Sequence, residues 1–240
     1  FMSMANTGST APATVAGTIA IADAEIVAAM ALIQMAHPGA PVYHSLMPGM
    51  MHPRTGAYLC ASSIVYAVGV ELAHVWGVPT LAGTFGGDAP EPGCWGMGDG
   101  AGVMLCVLCG AETGSGMGLL KGSTVLYPEA MVLDTEIYHS IRRDLAGLDI
   151  NQEELALDVI DAVGPRGYFL KQEHTRRNMR KLRFSELTAQ PIPGGGYRDP
   201  IEVAREKTDW ILENHHPEPL DEAQQAEFGR ILQAAERELG

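Results

Sequence analysis

The chain has 240 residues, 46% of them hydrophobic, and a formal net charge of -13 from 16 Lys and Arg against 29 Asp and Glu. That length carries one sizeable core or a domain with an extension, and the acidic balance argues against a phosphate-tracking surface, so neither nucleic acid nor an anionic membrane is an expected partner. Four cysteines, Cys60, Cys94, Cys106 and Cys109, lack the even spacing of a disulfide framework and point to a reducing, cytoplasmic setting.

The stretch from Ala11 to Met35 is the most apolar early segment. Asp23 and Glu25 interrupt it and no basic run precedes it, which argues against a signal or a membrane anchor. It predicts a buried helix over Ile19–Ala36, ended by His37-Pro38-Gly39. Pro41–His44 follows as a strand, Ser45–Thr55 as a loop, and Ala57–Trp76 as a second helix stopped by Gly77. Val78–Phe85 is the next strand, and after it comes TFGGDAPEPGCWGMGDGAG (84–102), a loop with seven glycines that runs into a helix over Ala101–Cys109. Ala111–Gly116 takes the place of a further strand end. Strand positions recur roughly every 30 to 40 residues, the period of βα units in a parallel sheet. Helices this apolar imply burial on more than one side, and glycine-rich loops after strands imply a working face at the strands' C-terminal ends. A barrel and a doubly wound sheet both satisfy the pattern.

Beyond residue 125 the composition changes. Pro128–Leu145 is an amphipathic helix, and Gln152–Val163 is another with Asn151 as its N-cap. A basic cluster, Arg176, Arg177, Arg180 and Lys181, precedes the Pro/Gly linker Gln190–Tyr197 and two last helices, Pro200–Asn214 and Asp221–Leu239. The expected division is therefore a βα region over 1–126 and a helical region over 127–240.

Five motifs in order, STAPATVAGTIAIADAEIVAA (9–29), PGAPV (38–42), RTGAY (54–58), LALDVIDAVGPRGYFLKQEHTRRNMR (155–180) and DPIEVAREKTDWILENHHPEPLDEA (199–223), resemble the trimethylamine methyltransferase family. The resemblance implies an α/β fold of the (β/α)8 TIM-barrel type, of which this chain carries about the last four βα units plus a helical C-terminal extension. Members are about twice this length, and four βα units cannot close an eight-stranded barrel. Either a missing N-terminal half or self-association, a homo-oligomer, is then expected to complete it. The resemblance further implies a corrinoid-dependent methyltransferase, which moves a methyl group from a small methylated amine to the Co(I) of a corrinoid (cobalamin) carried by a separate corrinoid protein, with no metal bound directly. Members acting on trimethylamine carry a pyrrolysine in a region corresponding to about Gly77–Gly87. Only standard residues stand there, so a quaternary amine such as a betaine is the implied substrate. Many quaternary-amine members have a His-Asp pair where this chain has Ser115-Gly116, which is a departure from the pattern.

Demethylating a quaternary ammonium needs no general base, because the amine leaves neutral; no catalytic side chain is assigned. The chain must hold a cation, aim one methyl and leave room for a flat cofactor. A methylated ammonium is held by aromatic faces and a nearby carboxylate, at roughly 0.5–2 kcal/mol per cation–π contact. Phe85, Trp95, Asp88 and Glu91, with Tyr43 and His44 from the preceding strand end, form the candidate cage. The equal alternative is that Phe85 and Trp95 cap the core while the two carboxylates are solvated. Glu112 is either an inward functional carboxylate or a structural partner. Small residues at strand ends, Gly8 to Ala11, Gly86 and Gly87, and Gly114, Ser115 and Gly116, give a candidate mouth for the corrinoid; each glycine taken singly also reads as a turn.

Other signals read as structural. Cys106 and Cys109 have CxxC spacing but sit in an apolar helix with no second pair, as buried small hydrophobes do. His215-His216 ends a helix, Met47–Met51 fills a loop or packs a large cofactor, and Arg176–Lys181 forms surface ion pairs or meets an acidic partner. The rival functional reading is a non-catalytic methylated-amine binding protein, or a truncated homologue with an interaction role.

Overall fold

The structure is a computed structural model, and it describes residues 1–60, 62–85, 99–182 and 184–239. In chain order its elements are β1 (Met2–Ser3), β2 (Asn6–Thr7), α1 (Val15–Ala36), β3 (Ser45–Leu46), β4 (Gly49–Met51), β5 (Tyr58–Cys60), α2 (Ser63–Trp76), β6 (Leu81–Thr84), α3 (Asp99–Leu108), β7 (Thr113–Ser115), β8 (Leu119–Leu120), β9 (Val125–Leu126) and α4 (Pro128–Leu145). The helical tail follows as α5 (Gln152–Leu155), α6 (Leu157–Val163), α7 (Glu173–Asn178), α8 (Pro200–Asn214) and α9 (Glu222–Leu239).

The strands are short, but their order carries the architecture. β1 pairs β3 in parallel, His44 bridges Thr80 in parallel just before β6, and β6 pairs β7 in parallel. Each step is crossed by a helix, α1, then α2, then α3, so strand order equals sequence order. The fold is mixed α/β, and among the described residues the strands do not close into a barrel.

Alternation along the strands directs one face to the helices. Ser3 Oγ donates to Glu25 of α1 at 2.7 Å, while Ala5 and Leu46 share a buried cluster with Ala22, Ile26 and Met30 of α1 and Val65 of α2. α1 is long and apolar enough to cross a bilayer by length and composition alone. Here it lies along β1 and β3, with Asp23 and Glu25 engaged by His44 and Ser3. α2 comes so close to β3 that a Cβ on Gly69 would stand 2.8 Å from Leu46 Cβ. It ends at Gly77 in the left-handed conformation, φ 67 and ψ 31, where a glycine costs least.

Several boundaries differ from the sequence reading, two of them in more than length. Pairing on the third strand falls at Ser45–Leu46 rather than Pro41–His44, and the segment read as the start of a helix at Ala57 is β5, antiparallel to β4. Gly49 permits that pairing, because the Tyr58 ring occupies the space that a Cβ there would need.

α4 joins the two regions. Its Ile141 packs with Phe85 and Val103, and its Leu133 packs with Leu187 and with Val203 and Ala204 of α8. Asn151 caps α5 as expected, its Oδ1 accepting from Glu154 N at 3.0 Å, but the helix breaks at Ala156, φ 47. The basic cluster forms surface ion pairs, Arg177 with Glu153 at 2.7 Å and Lys181 with Glu154 at 3.4 Å.

Candidate functional site

The parallel ladder sorts the candidate residues into two ends of the sheet. Tyr43, His44 and Glu112 immediately precede β3 and β7 and lie at the N-terminal end, beside Thr80. Phe85, Ser115 and Gly116 lie at the C-terminal end, where Phe85 N donates to Ser115 O at 3.1 Å. Three residues of strand, about 10 Å, separate Glu112 from Ser115. Tyr43 and His44 therefore lie apart from Phe85, whereas Phe85, Glu112 and Gly114 share the lining of one cavity of about 240 Å3 behind β7.

His44 is fully buried, and its Nε2 lies 2.9 Å from Asp23 Oδ1 of α1. Trp76 Nε1 donates to the same oxygen at 3.1 Å. One carboxylate thus ties β3, α1 and α2 together, and His44 faces the helix layer rather than a ligand. Glu112 is exposed and accepts from Thr80 N at 2.9 Å, capping the start of β6, which is the structural member of its two readings. Tyr43 is exposed.

Phe85 is the clearest correction. It is 2% exposed and packs against Val103 of α3 and Ile141 of α4, in the helix layer. The cause is a bulge: Leu81 pairs Thr113 and Thr84 pairs Ser115, so β6 spends one more residue than β7. Gly83 sits within it at φ 83, a conformation that glycine adopts without strain. One extra residue reverses the alternation, and Phe85 turns from the inner face to the outer one. Gly86, Gly87, Asp88, Glu91 and Trp95 lie outside the described residues.

What stands at the C-terminal end is small and open. Gly114 is exposed, and a Cβ there would meet nothing closer than backbone oxygens at 3.7 Å. Met50 on β4 is 44% exposed, and Asn6 at the end of β1–β2 holds a buried Oδ1 with no hydrogen-bond partner. The Gly116–Gly118 turn is fixed from behind: Asp134 of α4, fully buried, accepts from Gly118 N at 2.8 Å. Asp134 escaped the sequence reading although its signal is legible, an acid inside the apolar stripe Ala130, Leu133, Ile137 and Ile141.

Two cavities lie against α4. One of about 600 Å3 runs between α4 and the start of α8, with Ile137, Ile141 and Ile201 as floor and Glu136, Asp144 and Asp199 at its rim. The other, of about 240 Å3, opens behind β7 among Ala82, Phe85, Val107, Glu112, Gly114 and Arg142. Cys106 lies buried with Met47, Tyr66, Val70 and Ala82, and burial, reinforced by Cys109, pushes its thiol up to about 11, as a core residue requires.

The family model for trimethylamine methyltransferase (MTTB) matches residues 1–240. The chain is 29% identical over 248 aligned positions to trimethylamine methyltransferase MttB of Desulfitobacterium hafniense (strain DSM 10664 / DCB-2), covering 100% of this chain and 50% of that protein. It is 26% identical to a glycine betaine methyltransferase of Desulfitobacterium hafniense (strain Y51), over 99% of this chain and 52% of that protein. It is 28% identical to trimethylamine methyltransferase MttB of Methanosarcina barkeri, over 92% and 46%. The chain spans about half the length of these relatives. The match along all of residues 1–240 shows that the chain belongs to the trimethylamine methyltransferase family.

Proposed function

We propose that this chain is the C-terminal half of a (β/α)8 methyltransferase that takes a methyl group from a quaternary amine and delivers it to the corrinoid of a separate, cytoplasmic protein. The observation that carries the proposal is the family match along residues 1–240. The βα order, with small residues at the C-terminal strand ends, supports it.

The corrinoid, a co-substrate brought by its own protein, supplies the Co(I) nucleophile for the methyl carbon. The C–N bond breaks with its electron pair on nitrogen, so the amine leaves uncharged and no side chain has to move a proton. This chain's task is to bind and aim. In the proposal the open edge at Gly114–Gly116 admits the flat macrocycle. Met50 gives an apolar wall. The cationic charge falls to Trp95, Asp88 and Glu91, which keep the cage role proposed for them, while Phe85, His44 and Glu112 leave it.

Calorimetric titration with glycine betaine, carnitine, proline betaine, choline and trimethylamine tests this. The expected result is binding of at least one quaternary amine, weakened tenfold or more in Trp95→Ala and retained in Glu112→Gln. A folded protein that binds none of the five contradicts it.

A further inference from the structure

We infer that Asp134 is a positioning residue of the proposed transfer: through Gly118 it fixes the β8–β9 hairpin as a strap beyond the C-terminal end of β6, and the strap limits how bulky an amine the site accepts. The inference rests on the proposed function and adds what restricts its substrate.

The first observation is the anchor. Asp134 is fully buried, and its Oδ2 accepts from Gly118 N at 2.8 Å. Gly118 O accepts in turn from Tyr127 N at 2.7 Å, while Leu119 pairs Leu126 and Leu120 pairs Val125. One carboxylate therefore holds the base at which both strands of the hairpin meet. Gly118 has φ 78, and a Cβ there would stand 3.1 Å from Met131 Cβ of α4 and 3.2 Å from Tyr127 O, so the base is pressed onto the same helix. A carboxylate withdrawn from water is costly unless it is bonded, and its use here is to select one geometry for the chain that leaves β7.

The second is the tip. Lys121, Gly122 and Ser123 follow one another at φ 53, 63 and 64, and Thr124 Oγ1 donates to Lys121 O at 2.7 Å. Consecutive left-handed residues persist where their surroundings over-determine them. Tyr58 of β5 supplies those surroundings: a Cβ on Gly122 would lie 3.2 Å from Tyr58 Cδ1 and 3.5 Å from Tyr58 O, and the Tyr58 ring is seated over Gly49 of β4. Leu120 is buried, so the hairpin is seated on the protein rather than projecting from it.

The third is placement. β8 starts just beyond Ser115 of β7, and β4 starts just beyond Leu46 of β3. β6 stands between these two strands in the ladder. The contact of Gly122 with Tyr58 thus joins the second strand position to the fourth beyond the end of the third, a span of about 10 Å. Met50, the apolar wall of the proposed site, lies beside Gly49 on the strand against which the tip is stopped. The methyls of a quaternary ammonium offer no hydrogen-bond donor, so amines that share this head group are told apart by bulk. A wall held at base and tip rejects bulk that a mobile one would accommodate.

The experiment measures hydrogen exchange without ligand and then calorimetric titration with glycine betaine, carnitine, proline betaine, choline and trimethylamine, on the wild-type chain and four variants. Asp134→Leu removes the acceptor at similar volume, and Asp134→Asn keeps an oxygen for Gly118 N. Tyr58→Ala frees the tip, and Gly69→Val lowers stability away from the strap. In Asp134→Leu, exchange at the Gly118 and Tyr127 amides is expected to speed at least tenfold. The affinity for carnitine, the longest of the five, relative to the tightest of the other four is expected to rise at least tenfold in Asp134→Leu and Tyr58→Ala. Asp134→Asn and Gly69→Val are expected to keep the wild-type ratio. Unchanged exchange in Asp134→Leu, an unchanged ratio in Asp134→Leu and Tyr58→Ala, or an equal shift in Gly69→Val would overturn the inference while leaving the proposed function in place. A folded wild-type chain that binds none of the five would overturn both, and that result is read before any variant is made.

Discussion

A buried histidine that shares its carboxylate with a tryptophan is a structural device, and the His44–Asp23–Trp76 arrangement behaves as one. Removing the carboxylate leaves His44 Nε2 and Trp76 Nε1 without their acceptor. Asp23→Ala is expected to cost about 1–3 kcal/mol in a denaturant melt, with Asp23→Asn milder; an unchanged midpoint would show that the three groups do not hold the layers. Phe85 fills the contact between α3 and α4, so Phe85→Ala is expected to cost about 3–5 kcal/mol. Weakened amine binding at unchanged stability would return it to the cage instead. The Cys106 thiol, pushed up to about 11 by burial, stays protonated at pH 8. Folded protein should therefore leave Cys106 unalkylated by iodoacetamide at that pH, and alkylation should follow unfolding; rapid modification of the native chain would contradict its core placement.

Elements were legible where periodicity and punctuation agreed. α4 and α8 begin and end where the sequence predicts, each with proline at its first position. β5 was not, because Tyr58–Cys60 is an apolar run that continues a helical pattern, and only its pairing with Met51–Gly49 makes it a strand. The break at Ala156 was equally hidden, since nothing in LALDVIDAV announces a left-handed alanine. The candidate site suffered from the same limit. Gly83 within a strand reads as a bulge only once its partner is known, and that single residue decided which way Phe85 faces. Replacing Gly83 with valine is expected to cost about 1–3 kcal/mol through its positive φ, measurable by thermal melt. A neutral effect would mean that the bulge moves freely and the orientation of Phe85 with it. Gly69 was legible as a small residue but not as a contact. Gly69→Val pushes α2 off Leu46 and is expected to destabilise by about 1–3 kcal/mol.

At the scale of the molecule, four parallel strand positions in sequence order leave an open array among the described residues, in a chain that spans about half the length of the curated relatives it matches. The sequence reading anticipated the βα repeat, because the repeat is written in composition. It did not separate the two ends of the sheet, because strand ends are fixed by register rather than by residue type. Tyr43, His44 and Glu112 therefore moved to the N-terminal end, leaving Gly114, Ser115 and Met50 where the chemistry is proposed. The central claim is that this end of the sheet handles a methylated amine for transfer. The most direct measurement is transfer of an isotopically labelled methyl group from glycine betaine or a related quaternary amine to free Co(I) cobalamin, with the sized and folded chain as catalyst. The account predicts label in the cobalamin at a rate above the uncatalysed control and lowered in Trp95→Ala. A folded, amine-binding chain that transfers no label would contradict it.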